Sequence, residues 1–342
     1  MAEIISLSKH NADFNDSIKN LTALCKEDLH SINTLILEKL DSSVPLIQEI
    51  GKYLILSGGK RLRPLLTTAC FHITNKEKDE NLNYIGLAAA VEFIHAATLL
   101  HDDVVDLSKD RRGNLTANEV WGNKTSVLVG DFLFSRSFQL MTKYGSMKSL
   151  KILSDTSVII SEGEVLEISN DKNLEMNEDT YFQVIKGKTA SLFSAACQVG
   201  GLSGGAKENQ HQAFKSFGTN FGMAFQLIDD AIDYSSNSKT MGKNVGDDFK
   251  EGKITLPIIL AYGRSNNKEK KFLEKVIKKL NDSSESFNLT KDLLKKYNCI
   301  EDTIIRANHF ADVAIDSLSI FQNNQYKNAL IELIQTSVKR LY

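Results

Sequence analysis

The amino-acid sequence predicts an all-α protein, and three observations support that class. Only 3 of the 342 residues are proline, the residue that most strongly interrupts a helix. Long stretches repeat apolar residues at helical spacing, and 42% of the chain is hydrophobic, which is enough to bury a large core. No linker rich in proline, serine or glycine divides the chain. We therefore expect one domain over residues 1–342, and the sequence allows a disordered start at about residues 1–20.

Breaks in the apolar pattern locate the helices in order along the chain. The segment SVPLIQEIGKYLILS ends at the pair Gly58-Gly59, which is a typical helix stop. Polar and glycine-containing segments separate the later helices in the same way. We predict helices up to about residue 41, over residues 43–57, through Cys70, and over residues 84–105, 127–144, 148–168, 177–199 and 207–234, before a helical C-terminal part. Two long polar loops cover residues 108–126 and 235–253, and a loop as long as the second is usually a functional lid or a disordered segment.

Composition and charge exclude several classes of function. The formal net charge of −2 provides no general basic field for nucleic acid, so local basic clusters are better interpreted as sites for small anions. The four cysteines are scattered without metal-ligand spacing, which favours reduced, buried thiols in a cytoplasmic protein. The N-terminus lacks a basic start and a long apolar core, so no signal peptide is expected. The most apolar run, residues 86–100, is broken by Glu92 and His95 and favours a buried core helix over a membrane span.

The pattern Asp-Asp-x-x-Asp occurs twice, each time after an apolar, helix-compatible run. The two copies consist of Asp102, Asp103 and Asp106, and of Asp229, Asp230 and Asp233. Positions four apart share one face of a helix, so carboxylates crowd together and repel unless a cation offsets their charge. Oxygen-only ligands favour magnesium, which binds through a few carboxylates and the phosphates of a substrate. The repeated pattern therefore indicates hard cations and diphosphate chemistry.

Basic residues form groups near both acidic patterns. They are Lys60, Arg61 and Arg63 after the glycine pair, Arg111 and Arg112 after the first acidic pattern, Lys188 beside Thr189, and Lys243 and Lys253 in the second long loop. Arginine binds phosphate oxygens in a bidentate way, whereas lysine supplies a compact charge. Two diphosphate pockets would follow, one linked by metal to the carboxylates and one formed by cations alone.

Simpler interpretations of single residues stay open at this point. One acidic triplet is most often a solvated helix end, and only its repetition after a second apolar helix favours a metal site. His95 is seven residues before Asp102, so it is either a core histidine or a group that points into the same cavity. Gln226, four residues before Asp230, is either a helix-packing amide or a contact of the site.

An ordered set of segments resembles the trans-prenyltransferase family, the polyprenyl diphosphate synthases. The segments are GGKRLRP, EFIHAATLLHDDVVD, RRG, GKTA and FQLIDDAIDY, and GKNVGDDFKEGKITLPIILA resembles the long-chain members, octaprenyl-type synthases most closely. The resemblance covers about residues 45–265 and extends more weakly to the C-terminus. It implies an isoprenoid-synthase-type helical bundle around a deep central cavity, prenyltransferase activity, two or three Mg²⁺ ions and a homodimer.

The same resemblance assigns roles to individual positions. It implies magnesium ligands for the allylic diphosphate at Asp102 and Asp106, with Asp103 nearby, and a second magnesium cluster at Asp229 together with Asp230 and Asp233. All six aspartates are expected to act in catalysis. It implies an isopentenyl diphosphate site at Lys60, Arg63, His95 and Arg112. It implies an allylic diphosphate site at Arg111, Lys188, Thr189 and Gln226, with Lys188 also acting in catalysis, and Lys243 and Lys253 complete the predicted substrate-binding residues.

The implied reaction needs a dry cavity and no protein nucleophile. Magnesium acts as a Lewis acid on the leaving diphosphate, and the double bond of isopentenyl diphosphate attacks the allylic cation before a proton is lost. The resemblance implies that the departing diphosphate accepts this proton. We expect an octaprenyl-like (C40) product for quinone side chains, with C45, C50 and shorter products left open. An insoluble product also suggests transient contact with a membrane surface during release.

Product length depends on the side chains along the helix that bears Asp102. Ala97 and Thr98 lie about one 5.4 Å turn before it, where short-chain members of the family often have aromatic residues. Small residues there would let a growing tail pass, unless these are ordinary helix-packing positions. Phe132 and Phe134 at the start of the next helix are our candidates for a deeper floor.

Three other classes of function explain only part of the pattern. A terpene cyclase shares the first acidic motif but usually lacks the Gly-Gly-Lys-Arg segment, because it binds no second diphosphate. A metal phosphohydrolase of the HD type is suggested by His101-Asp102, but it leaves the second acidic and the basic clusters unexplained. A non-catalytic partner subunit is disfavoured by the intact acidic clusters, and turnover by the chain alone would exclude it.

Overall fold

A computed structural model describes residues 2–75, 82–235, 246–278 and 283–340, with side chains from residue 13 onward. Within these ranges the regular structure is helical apart from two strands of two residues each. The strands, β1 (Asp110–Arg111) and β2 (Asn114–Leu115), pair antiparallel in a small hairpin. The predicted all-α class is confirmed.

The N-terminal half follows the predicted order with two refinements. Its helices are α1 (Ala2–Leu24), α2 (Lys26–Lys39), α3 (Pro45–Leu56), α4 (Leu62–Thr74), α5 (Asn83–Val105), α6 (Ala117–Trp121), α7 (Asn123–Tyr144) and α8 (Met147–Ser169). The predicted first helix is two helices, because the buried Cys25 leaves helical geometry (φ −105°, ψ 20°). The first polar loop contains the hairpin and α6, which sequence periodicity did not reveal.

The C-terminal half contains one interruption inside a predicted helix. Its helices are α9 (Glu178–Ile185), α10 (Ser191–Ser203), α11 (Glu208–Asp233), α12 (Asp247–Glu251), α13 (Leu256–Arg264), α14 (Asn267–Lys278), α15 (Ser284–Lys296), α16 (Cys299–Ser317) and α17 (Gln325–Val338). A π-helical turn, Lys186–Ala190, joins α9 to α10. Such turns add one residue to a helical path and redirect the side chains on it.

Helix α5 lies at the centre of the bundle and packs against α2, α4, α7 and α10. By length and composition alone it could cross a membrane, but 78% of its most apolar window is buried inside the protein. Its small residues Ala88, Ala89 and Ala90 are fully buried, which allows neighbouring helices to approach closely. The sequence prediction of a buried core helix agrees with this position.

Glycines allow three helices of the site to approach one another along α10. A Cβ atom on Gly200 would collide with the backbone carbonyl of Thr67 on α4. On the other side, a Cβ on Gly218 of α11 would lie 2.6 Å from the Cα of Ser194. Helix α10 therefore holds α4, which begins within the basic segment, close to α11, which carries the second acidic cluster.

We expect Gly200→Ala to destabilise the protein by about 1–3 kcal/mol, because the added methyl group must displace the backbone of α4. Gly263→Ala is the matched control, since Gly263 is exposed in α13 and a Cβ there meets no atom within 4 Å. That control should be neutral or more stable by up to about 1 kcal/mol. Thermal and denaturant unfolding of both variants test this, and an equal loss of stability in the two would contradict the close approach.

Candidate active site

The first acidic cluster lies at the C-terminal end of α5, where its aspartates differ in environment. Asp103 is 1% exposed and accepts hydrogen bonds from Arg111, at 2.9 Å from Nε and 2.7 Å from Nη2. Because Arg111 belongs to β1, this ion pair fastens the hairpin to the end of α5. Asp102 and Asp106 lie one helical turn apart and remain partly exposed. The predicted allylic-site residue Arg111 thus meets the cluster through Asp103.

A lysine beside this cluster is surrounded by carboxylates. The π-helical turn directs Lys188 toward α8, where Nζ donates to Glu164 Oε2 at 2.9 Å and to Glu167 Oε2 at 2.7 Å. Burial alone would lower the pKa of Lys188, but the charges of Glu167 and Asp102 raise it above its ordinary value. The lysine is therefore held as a cation within reach of the first cluster.

The carboxylates around Lys188 are crowded and poorly solvated. Burial raises the pKa of Asp102 to about 6, and Asp106 contributes in the same direction while Lys188 opposes it. Burial and the charge of Asp102 raise the pKa of Glu164 to about 7. From the other side, Lys253 Nζ lies 3.2 Å from Asp106 Oδ2. An added cation at this point would relieve the remaining repulsion.

The donor set fits a hard divalent cation. Asp102 and Asp106 offer only oxygen ligands, and Glu164 Oε1 beside them is buried without a hydrogen-bond partner. In the part of the chain that the structure describes, no group of three or more His, Cys, Asp or Glu side chains is already gathered as a metal site. This arrangement suits a Mg²⁺ ion that takes few protein ligands and completes its shell from substrate phosphates and water.

The second acidic cluster ends α11, and its central aspartate is bound by the protein itself. Asp230 is 3% exposed and accepts hydrogen bonds from Gln226 Nε2 at 2.8 Å and from the Tyr181 hydroxyl at 2.5 Å. Gln226 in turn accepts a hydrogen bond from Thr189 Oγ1 at 2.9 Å. Burial raises the pKa of Asp230 well above its ordinary value. A continuous hydrogen-bonded chain thus joins the π-helical turn to the second cluster.

Asp229, the first member of this cluster, forms an ion pair with Arg340 near the C-terminus. Arg340 Nη1 donates to its Oδ1 at 2.8 Å, and the guanidinium lies 4.9 Å and 4.6 Å from the rings of Phe14 and Phe225. Lys60 Nζ lies 4.5 Å from the Phe14 ring. Burial, with the charge of Arg340, lowers the pKa of Lys60, and Asp229 opposes that effect. The predicted Lys60 therefore lies close to the second acidic cluster.

The third member, Asp233, contacts α12, a short helix inside the segment that the sequence predicts as the second long loop. Its carboxylate accepts hydrogen bonds from the backbone amides of Asp247 and Asp248 at 3.2 Å and 3.1 Å. The predicted substrate-binding residue Lys243 lies outside the described residues. The three aspartates of this cluster therefore have different hydrogen-bond partners. The metal-binding roles assigned to the aspartates stay predictions.

Arginine side chains are clustered around His95, near the first acidic cluster. The Nε atom of Arg63 is buried without a hydrogen-bond partner, and its guanidinium lies 4.6 Å from the Phe193 ring. Burial lowers the pKa of Arg63 to about 10, although Glu92 opposes that shift. Burial and then the charges of Arg63 and Arg112 lower the pKa of His95 well below its ordinary value, which keeps the ring neutral. This unsatisfied donor and the clustered positive charges suit a bound anion.

Two arginines of this region support the loop between α3 and α4. Arg61 donates to Glu92 Oε1 at 2.5 Å and to the Ile55 carbonyl at 2.7 Å, so it fixes the turn between α3 and α4. Arg112 donates to the carbonyl of Gly58 in the same turn. The predicted isopentenyl-site residue Arg112 is therefore placed next to the Gly-Gly segment.

The predicted chain-length residues lie on α5 and α7. Ala97 is buried. The hydroxyl of Thr98 donates a hydrogen bond to the His95 carbonyl, one turn earlier in α5. On α7, Phe132 lies 4.8 Å from the Arg136 guanidinium. Phe134 packs edge to face against a neighbouring phenylalanine of α7, with ring centroids 5.1 Å apart. Their roles in product length stay predictions.

Four residues that sequence reasoning missed take part in the site: Glu164, Glu167, Tyr181 and Arg340. The two glutamates had a signal, because a spacing of three residues on the predicted helix over residues 148–168 places them on one face. Tyr181 and Arg340 had none, because their partners are 49 and 111 residues away in the chain.

Comparisons with known proteins identify the family of this chain. The chain matches the polyprenyl synthetase family over residues 44–294. It is 39% identical over 327 residues to the octaprenyl diphosphate synthase of Escherichia coli (strain K12), covering 95% of this chain and 99% of the relative. A polyprenyl synthase from Caulobacter crescentus CB15, solved with calcium and isoprenyl diphosphate, is 42% identical with a TM-score of 0.89, covering 94% of this chain and 97% of that one. A decaprenyl diphosphate synthase from Rhodobacter capsulatus is 44% identical with a TM-score of 0.90, covering 95% and 99%.

We expect Glu164→Gln to change the pH dependence of stability. The pKa of Glu164 rises from the ordinary 4.5 to about 7, so the folded state binds this proton more tightly than the unfolded state does. The free energy of unfolding of the wild type therefore falls as pH increases from about 4.5 to 7, and a neutral glutamine lacks that penalty. The difference in Tm, variant minus wild type, should increase across this window and level off above it.

Thermal unfolding between pH 4.5 and pH 8 measures this difference. Glu162→Gln, on the exposed face of the same helix, is the matched control and should show no such trend. A Tm difference for Glu164→Gln that stays constant or falls with increasing pH would contradict the assignment of a poorly solvated carboxyl group.

Proposed function

Since the chain belongs to the polyprenyl synthetase family, and is therefore a prenyltransferase, we propose that it is a long-chain trans-polyprenyl diphosphate synthase. It condenses isopentenyl diphosphate units onto an allylic diphosphate of the farnesyl type. The observation that carries this proposal is the presence of two adjacent charge environments of different kinds. One combines carboxylates with lysines, and the other consists of arginines around a neutral histidine.

The two environments adjoin at Arg111. Its charge acts on Asp102 in the first environment and on His95 in the second. A substrate diphosphate in each would bring the allylic carbon of one close to the double bond of the other, which is the positioning that a condensation requires. A site for one diphosphate alone would leave the buried, unsatisfied Nε of Arg63 unexplained.

The metal requirement that we propose is two or three Mg²⁺ ions. Asp102, Asp106 and Asp229 would hold them, and the bound ions would supply Lewis acidity toward the leaving diphosphate. Before metal binds, Lys253 and Arg340 neutralise Asp106 and Asp229. The same two cations are then available to bind diphosphate oxygens when the carboxylates turn to the metal.

The protein's own residues bind, orient and exclude water. Lys188 and Lys253 bind the allylic diphosphate, with Thr189, Gln226 and Arg111 around it, whereas Lys60, Arg63, His95 and Arg112 hold isopentenyl diphosphate. The allylic C–O bond breaks, the new C–C bond forms, and the proton lost from the isopentenyl carbon passes to the departing diphosphate. The apolar interior of the bundle keeps water from the carbocation.

We propose an octaprenyl-like C40 product that becomes a quinone side chain, formed by a homodimer in the cytoplasm. A relative that makes octaprenyl diphosphate supports this length, and a related structure named as a decaprenyl synthase keeps C50 as the second candidate. The small side chain of Ala97 on α5 would let a long tail pass beside the first cluster. Product release involves transient contact with a membrane surface, because a C40 chain is insoluble in water.

We expect the purified chain, incubated with farnesyl diphosphate, isopentenyl diphosphate and Mg²⁺, to make one discrete long polyprenyl diphosphate. Asp102→Ala and Asp229→Ala should each lower kcat/KM by about 10²–10⁴-fold, because each removes a ligand whose metal stabilises the leaving group by several kcal/mol. Radiolabelled product analysis measures both length and rate. Asp155→Ala, which removes an exposed carboxylate paired with Lys151 on α8, is the matched control.

Each outcome of this assay has a distinct meaning. A C40 product supports the proposal in full, whereas a C45, C50 or shorter product keeps the chemistry and overturns the assigned length. Ala97→Phe should shorten the product, and an unchanged product in Phe132→Ala and Phe134→Ala would reject those residues as the floor. No product from folded protein with Mg²⁺ present would favour the non-catalytic partner subunit.

An exposed apolar surface on α7 and α8 supports the proposed homodimer. Leu128 is 66% exposed and Val165 is 63% exposed, and Phe138, Val158 and Ile168 on the same two helices are exposed as well. Large exposed apolar patches mark interaction sites, and a two-fold axis through one helix pair would bury both copies of this surface.

We expect the wild type to be a dimer in solution and Leu128→Asp combined with Val165→Asp to be a monomer, because two charges would be desolvated in each copy of the interface. Light scattering after size exclusion measures the mass. Ile305→Asp is the matched control, since Ile305 is equally exposed at 63% but lies on α16. A monomeric wild type, or a double variant that stays dimeric, would contradict this interface.

A further inference from the structure

The short helix α12 begins at the end of α11, and Asp233 joins the two. Its Oδ1 accepts a hydrogen bond from the amide of Asp247 and its Oδ2 one from the amide of Asp248. The carbonyl of Asp233 also accepts a hydrogen bond from the amide of Gly246, at 3.0 Å. The two carboxylate oxygens thus bind the first amides of a helix that lies 14 and 15 residues further along the chain, as an N-cap side chain does.

The other end of α12 leads directly to Lys253. Gly252 adopts a left-handed conformation (φ 73°) and ends the helix, and the amide of Lys253 donates to the Asp248 carbonyl at 2.8 Å. Phe249 anchors the turn in the core, with its ring 5.2 Å from that of Phe287. The direction of the chain at Lys253 therefore depends on the contacts that fix the position of α12.

Lys253 then crosses to the first acidic cluster. Its Nζ lies 3.2 Å from Asp106 Oδ2 and 2.8 Å from Glu251 Oε2. A helix of five residues has too few internal hydrogen bonds to persist alone, so its geometry needs external contacts. Asp233 at the end of α11 is thus connected through α12 to Asp106 at the end of α5.

We propose that Asp233 serves the reaction as a positioning residue: its carboxylate caps α12 and thereby holds Lys253 at the first acidic cluster, instead of binding a metal ion. The three aspartates of the second cluster are then unequal. Asp229 is the member that turns to the metal, Asp230 is bound by Gln226 and Tyr181, and Asp233 maintains the segment that delivers a substrate-binding lysine. The role in the reaction rests on the proposed function, whereas the capping role does not.

Hydrogen exchange of the ligand-free protein tests the cap. In Asp233→Ala, amide exchange in peptides covering residues 246–253 should be at least about 10-fold faster than in the wild type, because the first amides of α12 lose their acceptors. Asp233→Asn keeps one oxygen acceptor and should restore part of the protection. Asp229→Ala, one turn earlier in α11, is the matched control and should leave these peptides unchanged. Equal protection in Asp233→Ala and the wild type would overturn the cap.

Kinetics test the connection to Lys253. Asp233→Ala should raise the KM for the allylic diphosphate as Lys253→Ala does, and the double variant should be no worse than the poorer single variant within about two-fold. The Mg²⁺ concentration for half-maximal rate should stay as in the wild type for Asp233→Ala and Asp233→Asn. A several-fold increase in that concentration for both, or multiplicative losses in the double variant, would overturn the positioning role.

The two measurements separate failure of this inference from failure of the proposed function. If the wild type makes no polyprenyl product, the proposed function fails, and hydrogen exchange still decides whether Asp233 caps α12. If the wild type is active but exchange or the Mg²⁺ requirement contradicts the expectation, the assignment of Asp233 fails alone.

Discussion

Repulsion among crowded carboxylates is the constraint on which the rest of this site depends. The end of α5 and one face of α8 bring acidic side chains together in a poorly solvated region, where burial raises the pKa of Asp102 and Glu164. The protein offsets that repulsion with its own cations, above all Lys188 between two glutamates. The π-helical turn directs Lys188 toward these carboxylates, and α12 leads directly to Lys253, the second lysine at the first acidic cluster.

The same cations explain how one site accommodates both metals and anions. Lys253 and Arg340 pair with the aspartates that are the best candidates for metal ligands. A divalent ion that bound here together with a diphosphate would exchange these partners: the carboxylates would turn to the metal, and lysine or arginine would turn to phosphate. The net charge of the site changes little in such an exchange, which limits the cost of desolvation.

Helical geometry places the central aspartate of each acidic pattern in a different environment from the outer two. In each copy the central aspartate is almost fully buried and bonded to the protein, Asp103 to Arg111 and Asp230 to Tyr181. The outer two share a face because they are four residues apart, and the central one turns away by about 100°. The two copies differ in their third aspartate: Asp106 is paired with Lys253, whereas Asp233 accepts hydrogen bonds from the backbone of α12.

The sequence by itself determined the class of fold, most helix positions, the two acidic clusters and the basic segments, because helical periodicity and residue spacing are local properties. Low proline content and the runs before Asp102 and Asp229 were sufficient for that. Tertiary structure decided which partner each charge has: Arg61 braces Glu92, Arg340 reaches Asp229 from the C-terminus, and Asp233 caps a distant helix. These pairings join residues between 14 and 111 positions apart, and no local pattern encodes such a distance, because only the packing of the helices against one another brings the partners together.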